Sequence, residues 1–290
     1  MSRFEYHEPE SLRDAVALAA RFGPEARFLA GGTDLIVQIE RARIAPRHVI
    51  GLRRVPGLTG IEVNGRVTLG ARVTHRALER APELAGAFRC LVEGAEVIGG
   101  HQVRNVATVG GNLANASPAA DLVPGLLVLD GAVTLVGPDG ERELPIERFL
   151  LGPNQTARRP DELLTRVSLP ALPARAATAF LKAGRRRAME ISVVCVAARL
   201  TLDASLERCL EARIALGSVA PTAVRAHRAE RALEGQPVGP EAFRRASEAA
   251  QAACRPIDDV RASAAFRRHL VGVLVRRALA RCLERARAAA

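Results

Sequence analysis

Two short glycine-bearing stretches hold the residues best suited to chemistry: Leu29-Ala30-Gly31-Gly32-Thr33-Asp34-Leu35 and Ala107-Thr108-Val109-Gly110-Gly111-Asn112. Each follows an apolar, strand-like run. Small residues leave successive backbone N–H groups uncovered, and such groups at the start of a helix suit the fixed anionic oxygens of a pyrophosphate. Glycine is required wherever a Cβ would hold a phosphate away from the backbone. Thr33 and Thr108 add a hydroxyl donor beside each loop. Among 24 glycines a single Gly-Gly is ordinarily a turn. Two with matching flanks leave a turn and a dinucleotide cradle both open. Asp121, in Ser117-Pro118-Ala119-Ala120-Asp121-Leu122, either caps the next helix or accepts hydrogen bonds from sugar or ribityl hydroxyls. Asn112 and Asn115 serve loop geometry or ligand contact equally well.

Other chemistries lack their residues. There is no GxGxxG, no GxxxxGK[ST] and no GxSxG; Lys182 stands outside any glycine loop, and Ser117 has no base nearby. The five cysteines lie at least 14 residues apart, which excludes a disulfide framework, a CxxC pair and an iron–sulfur cluster held by this chain alone. They read as small buried hydrophobes. The six histidines show no HExxH and no paired zinc spacing, so no metal ligand is expected. No catalytic acid or base is nominated.

The elements that must position these loops follow from periodicity. Apolar residues at Leu12, Val16, Ala19 and Ala20 predict a helix over 9–22. A strand is expected at 27–30, then a helix through 35–43 capped by Thr33 or Asp34, then a strand at 48–52. Alternating runs about Asn64-Gly65 predict a hairpin. Helices are expected near 74–80 and 84–98, a second hairpin turns at Pro138-Asp139-Gly140, and a strand runs through LLTRVSLP. The tract 97–131 is rich in Gly, Asn, Ala and Ser yet poor in charge, unlike a solvated linker. A Pro-rich break at 170–175 marks a domain boundary. Beyond it, strands at 177–183, 191–201 and 207–217 precede helices at 221–233, 240–253 and 262–288, an α+β order.

The chain has 290 residues, with 42 Lys+Arg against 31 Asp+Glu; Lys182 is the only lysine. Its net charge of +11 raises nucleic acid as a partner. About half of that charge falls in the last 50 residues, where 11 arginines face 5 acids. Those arginines alternate with apolar residues at helical spacing and lack stacking aromatics, so a solvated face of an amphipathic helix is the better reading. Apolar residues make up 48%, which excludes wholesale disorder. No run approaches the roughly 18 uncharged apolar residues of a membrane span. The first residues, MSRFEYHEPESLRD, carry no apolar signal-peptide core, so the cytoplasm is the expected compartment.

The pair AGGTDLI (30–36) and TVGGNLANASPAADL (108–122), with QVRN at 102–105, RRRAMEISVVCVAARL at 185–200 and IALGSVAPTAVRA at 214–226, resembles the FAD-binding subunit of molybdenum hydroxylases. That family includes the medium subunit of aerobic carbon monoxide dehydrogenase and the flavin domain of xanthine dehydrogenase. The resemblance implies an α+β chain with a vanillyl-alcohol-oxidase-type FAD fold. It would comprise two α/β subdomains at 1–55 and 56–172, then a C-terminal domain at 176–290 with a three-stranded sheet and helices. It implies that Leu29, Ala30, Gly31, Gly32, Thr33, Asp34, Leu35 and Ile36 hold the FAD pyrophosphate together with Thr108, Val109, Gly110, Gly111 and Asn112. Ile98 matches a position against the cofactor where some relatives carry an aromatic, and Asp121 matches a cofactor-contacting aspartate. Lys182 falls where the xanthine enzymes have a lysine entering the loop near the flavin. Glu190-Ile191 replaces the more usual Asp-Ile/Phe pair of that loop, with Ile191 beside the flavin.

The family's division of labour implies partners: a small subunit with two [2Fe–2S] clusters and a large subunit with the molybdopterin cofactor, in a dimer of heterotrimers. Electrons would pass from the clusters through FAD to an acceptor such as NAD, O₂ or a quinone, the cofactor supplying the redox chemistry. A stand-alone FAD-dependent oxidoreductase is the alternative. A basic nucleic-acid-binding protein is the alternative from another class.

Overall fold

Three parallel strands and two helices build the first unit: β1 (Glu5–His7), α1 (Leu12–Phe22), β2 (Ala26–Leu29), α2 (Leu35–Glu40) and β3 (His48–Gly51). The computed structural model describes residues 3–186 and 188–289, so Met1, Ser2, Ala290 and Arg187 of the 185–200 motif lie outside the described residues. The sheet order is β1-β3-β2. Ser11 starts α1 by accepting from the Asp14 N–H, and the helix buries Ala15, Val16 and Ala19. β1, only three residues long, has no readable period. Because β2 and β3 are parallel, both end at one sheet edge, where the first glycine loop leaves β2.

The second unit begins with the hairpin β4 (Ile61–Val63) and β5 (Val67–Gly70). Next come α3 (His75–Glu79), α4 (Arg89–Glu96), α5 (His101–Val106), α6 (Val109–Asn115) and α7 (Leu122–Val128). The hairpin β6 (Ala132–Gly137) and β7 (Gly140–Pro145) follows, then α8 (Ile146–Phe149), the short pair β8 (Leu150–Gly152) and β9 (Gln155–Thr156), and β10 (Leu163–Leu169). The antiparallel sheet runs β4-β5-β10-β6-β7, with the last strand of the unit at its centre. The charge-poor tract folds as three short helices instead of a linker, and every residue of α7 is buried. The helix expected over 84–98 is shorter: a 3-10 turn at Pro82–Leu84 precedes α4.

The C-terminal unit contains β11 (Ala176–Ala183), β12 (Val194–Leu202), β13 (Cys209–Gly217) and β14 (Val224–Arg225). Its helices are α9 (His227–Arg231), α10 (Pro240–Ala252) and α11 (Ala264–Ala288). Its sheet has four strands, not the three expected. The additional strand pairs Ala215 with Arg225 and Leu216 with Val224, taking two residues from the head of the helix expected at 221. Two residues are too few to show alternation, so only the pairing reveals them. Every residue of β12 is buried. Phe180, Cys195, Ala197 and Ala215 pack one face of the sheet into the core of the second unit, while α10 and α11 cover the other. All five cysteines are buried. Most α11 arginines face solvent, but two do not. Arg267 pairs with Asp259 at 2.7 Å and donates to the Val193 carbonyl at 2.6 Å, and Arg285 pairs with Glu93.

Candidate functional site

The exit of β5 zips onto the second glycine loop. Val109 N–H donates to the Val73 carbonyl at 2.9 Å, Gly110 N–H to that of Ala71 at 2.8 Å, and His75 N–H to that of Ala107 at 3.0 Å. Thr108 caps α6, its Oγ1 accepting from the Gly111 N–H at 3.1 Å, while Asn112 N–H donates to the Thr108 carbonyl at 2.9 Å. The N–H groups of Val109, Gly110, Gly111 and Asn112 are therefore already committed. In the first loop, Ile36 and Gln38 N–H groups close α2 onto the carbonyls of Gly32 and Asp34. Among the described residues, the N–H groups of Gly31, Gly32, Thr33, Asp34 and Leu35 have no protein acceptor.

The glycines have distinct reasons. A Cβ on Gly31 would stand 2.0 Å from the Val106 carbonyl oxygen, and one on Gly110 would stand 2.7 Å from the Ala71 Cβ. Both are fixed by backbone packing within the protein, not by approach to a phosphate. At Gly31 the backbone of the first unit touches that of the second. A Cβ on Gly111 would meet only Thr108 Oγ1, at 3.0 Å, in residues that line open space.

That space is a cleft of about 540 Å³ between the two units, within the roughly 300–1,000 Å³ typical of ligand sites. The structure brings to its walls Ala30, Gly31, Gly32, Thr33, Asp34 and Leu35 from the first loop, and Thr108, Gly110, Gly111 and Asn112 from the second, together with Ile98. Leu29 and Ile36 pack beneath Gly32, and Val109 is buried in the core. Burial pushes the Asp34 carboxyl up.

Asp121, Lys182 and Ile191 are not among the residues lining the cleft. Asp121 directly precedes α7 but makes no capping bond. Its carboxylate instead accepts from Lys182 Nζ at 2.7 Å and from Ser192 Oγ. Burial pushes the Asp121 carboxyl up, against the pull of Lys182. Lys182 Nζ also donates to the carbonyls of Val97 at 3.1 Å and Glu190 at 2.8 Å, which ties the C-terminal unit to the segment leading into Ile98. Ile191 is half exposed.

Several cleft residues have no sequence signal. Arg27 donates to the Pro24 and Ala26 carbonyls, Arg72 to that of Arg53 and Arg158 to that of Glu162. Among the described residues, none of the three is ion-paired with a carboxylate. Burial and Arg27 lower the pKa of Arg158, and burial and Arg53 lower that of Arg72. In an arginine-rich chain nothing singles these out before folding. His75 is buried beside the second loop, and burial with Arg104 nearby lowers its pKa to about 4. Its Nδ1 and the Oδ1 of Asn112 are buried without a partner. Gln38 Nε2 donates to Asn115 Oδ1 at 3.1 Å, linking α2 to the end of α6.

Free donors and excess cationic charge on one cleft fit an elongated polyanionic ligand. Comparison with known proteins decides its kind. Residues 2–172 match the FAD binding domain in molybdopterin dehydrogenase, and residues 179–282 match the CO dehydrogenase flavoprotein C-terminal domain. The chain belongs to the FAD-binding medium subunits of the molybdenum hydroxylases. The carbon monoxide dehydrogenase medium chain of Hydrogenophaga pseudoflava is 33% identical over 285 residues, covering 97% of this chain and 98% of that one. The xanthine dehydrogenase FAD-binding subunit of Escherichia coli O157:H7 is 32% identical over 277 residues, with 94% of each chain covered. Among solved structures, carbon monoxide dehydrogenase from H. pseudoflava lacking the Mo-pyranopterin moiety superposes with a TM-score of 0.93 at 34% identity, covering 98% of both chains. Quinoline 2-oxidoreductase from Pseudomonas putida 86 gives 0.90 at 29% identity, again over 98% of both. This medium subunit is thus an oxidoreductase component with the family's mixed α+β fold.

Proposed function

We propose that this medium subunit binds FAD in the cleft between its first two units and serves as the electron-transfer subunit of a heterotrimeric molybdenum hydroxylase. The observation that carries the reading is the convergence of two glycine loops, 79 residues apart in sequence, on one cleft with five free N–H donors and three arginines without carboxylate partners. When bound, FAD would supply the redox chemistry of electron transfer between [2Fe–2S] clusters of a small subunit and an acceptor such as NAD, O₂ or a quinone. The N–H groups of Gly31 to Leu35 and the Thr108 hydroxyl donate to the pyrophosphate. Arg27, Arg72 and Arg158 neutralise its charge, a strong interaction where water is excluded. Ile98 supplies apolar contact. His75, neutral at ordinary pH, adds no competing charge. The Lys182–Asp121 pair fixes the Val97–Ile98 and Glu190–Ile191 segments relative to each other and would hold them in place beside a bound cofactor.

Relatives named as carbon monoxide and xanthine dehydrogenase subunits support two partners, the small iron–sulfur chain and the large molybdenum chain, in a cytoplasmic dimer of heterotrimers. Among the described residues, no helix is long and apolar enough to cross a membrane. The same likeness supports a vanillyl-alcohol-oxidase-type arrangement with units at 1–55, 56–172 and 176–290. Co-purification with the two neighbouring chains tests the function. A flavin spectrum, release of FAD on denaturation and flavin reduction only when all three subunits meet substrate are expected. A chain that never retains FAD in that complex overturns the reading. Flavin reduction by substrate without partners moves it to a stand-alone oxidoreductase.

A further inference from the structure

Away from the cleft, one face of the first sheet gathers three metal-ligating side chains. In the parallel pairing of β1 with β3, Glu5 stands opposite His48, and His7 lies two residues further along β1. Side chains of opposed residues, and of residues two apart on one strand, share a sheet face, so Glu5, His7 and His48 project together. Phe22 stacks on the His48 ring at 3.7 Å between centroids and on the His7 ring at 5.0 Å, which holds both rings in place. His7 Nε2 and His48 Nδ1 face each other at 3.1 Å. Glu5 Oε2 lies 3.4 Å from His48 Nδ1, and Glu5 Oε1 lies 3.9 Å from His7 Nε2.

The two carboxylate distances belong to different oxygens, but one atom from each residue can be chosen so that all three lie within 4.8 Å of one another. A tetrahedral ion bound at about 2.0–2.1 Å spaces its ligand atoms roughly 3.3–3.4 Å apart, near the 3.1 Å His7–His48 and 3.4 Å Glu5–His48 separations, and a turn of the exposed Glu5 carboxylate closes the third side. Both histidine side chains are largely buried, while Glu5 is exposed, leaving the site open on one side. Among the described residues, no arginine or lysine pairs with Glu5, and this is the one cluster of three His, Cys, Asp or Glu side chains in ligating proximity. His227 also faces two carboxylates, Glu147 and Glu230, but Arg225 holds Glu230 at 2.5 Å and takes the place of a cation there.

We infer that Glu5, His7 and His48 form a binding site for a divalent transition-metal ion of the zinc type, with water in the fourth position. Two imidazoles and one carboxylate suit borderline ions of this kind. On binding, the ring that donates in this pair moves its proton to its other nitrogen through solvent, so both rings stay neutral and both facing nitrogens turn their lone pairs to the metal. The ion staples the three-residue β1 to β3. It sits at the start of these strands, whereas the glycine loop leaves β2 at the opposite end of the same parallel sheet, so the site is separate from the cofactor cleft.

The test uses the tag-free, chelator-treated full chain and Co²⁺ as a spectroscopic probe. One equivalent of Co²⁺ is expected to give the visible ligand-field bands of a tetrahedral site, and one equivalent of Zn²⁺ to remove them. His7→Gln and His48→Gln should abolish the bands. Glu5→Gln alters only an exposed side chain, so it keeps the test valid if either histidine variant misfolds. It should weaken Co²⁺ binding by at least the roughly 10–100-fold that even an outer-shell partner of a metal site carries, with FAD content unchanged. Bands of octahedral Co²⁺ alone in the unsubstituted chain, or an unchanged Kd in Glu5→Gln, would overturn the assignment.

Discussion

The two glycine loops look alike in sequence and do different work. Among the described residues, the first has five unengaged N–H groups, while the second has spent those of Val109, Gly110, Gly111 and Asn112 on the strand exit at 71–73 and on its own Thr108 cap. Gly31 lets the backbone of one unit touch the other, Gly110 lets α6 press on Ala71, and Gly111 keeps a Cβ out of the cleft. A repeated motif therefore need not signal a repeated role. One loop leaves its N–H groups free, and the other ties the strand exit at 71–73 to α6.

The comparison breaks most readily at Gly31. Gly31→Ala places a Cβ against the Val106 carbonyl, and neither backbone can yield cheaply. A loss of about 3 kcal/mol or more in urea unfolding is expected, together with loss of FAD. A stable, FAD-replete variant would show that the two units do not depend on that contact.

Acid comes next. The folded protein holds His75 at a pKa of about 4 against an ordinary 6.5, so the unfolded chain takes up a proton that the folded chain refuses. Stability is full above the ordinary value and falls as pH drops through this window, by roughly 3 kcal/mol at the lower end. Urea titrations of FAD-free protein at several pH values should show that slope, and His75→Gln should flatten it.

Thr108→Val removes the hydroxyl that accepts from Gly111 N–H and should cost about 1 kcal/mol in thermal or urea unfolding. FAD affinity should fall with it, because the same hydroxyl donates to the pyrophosphate; full affinity in this variant would show that Thr108 serves only as a cap.

Gly111→Ala is expected to leave stability within about 1 kcal/mol, because alanine favours the helix it enters. FAD should nevertheless bind about tenfold more weakly, or roughly 1.4 kcal/mol, since the new Cβ enters the cleft. Equal losses of stability and affinity at Gly111 would erase its distinction from Gly110.

Much of the molecule is legible from local pattern. The helix expected over 9–22, the hairpin at Asn64-Gly65 and most of the strand expected at 191–201 follow from spacing and turn chemistry. The metal-ligating group was not legible, because Glu5, His7 and His48 are joined by a parallel pairing across 41 residues. The fourth C-terminal strand escaped notice for a similar reason, its two residues being defined only by their partner. Lys182 stood out as the only lysine, yet nothing local tied it to Asp121, 61 residues away.

By itself, then, the sequence determined the α+β order of elements, the family and the two loops, since these depend on residue type and short-range spacing. Only the tertiary structure decided which N–H groups stay free, which glycines serve packing and which of many arginines reach the cleft. Each of those outcomes depends on where distant backbone comes to rest, and a free donor is defined by the partner it lacks.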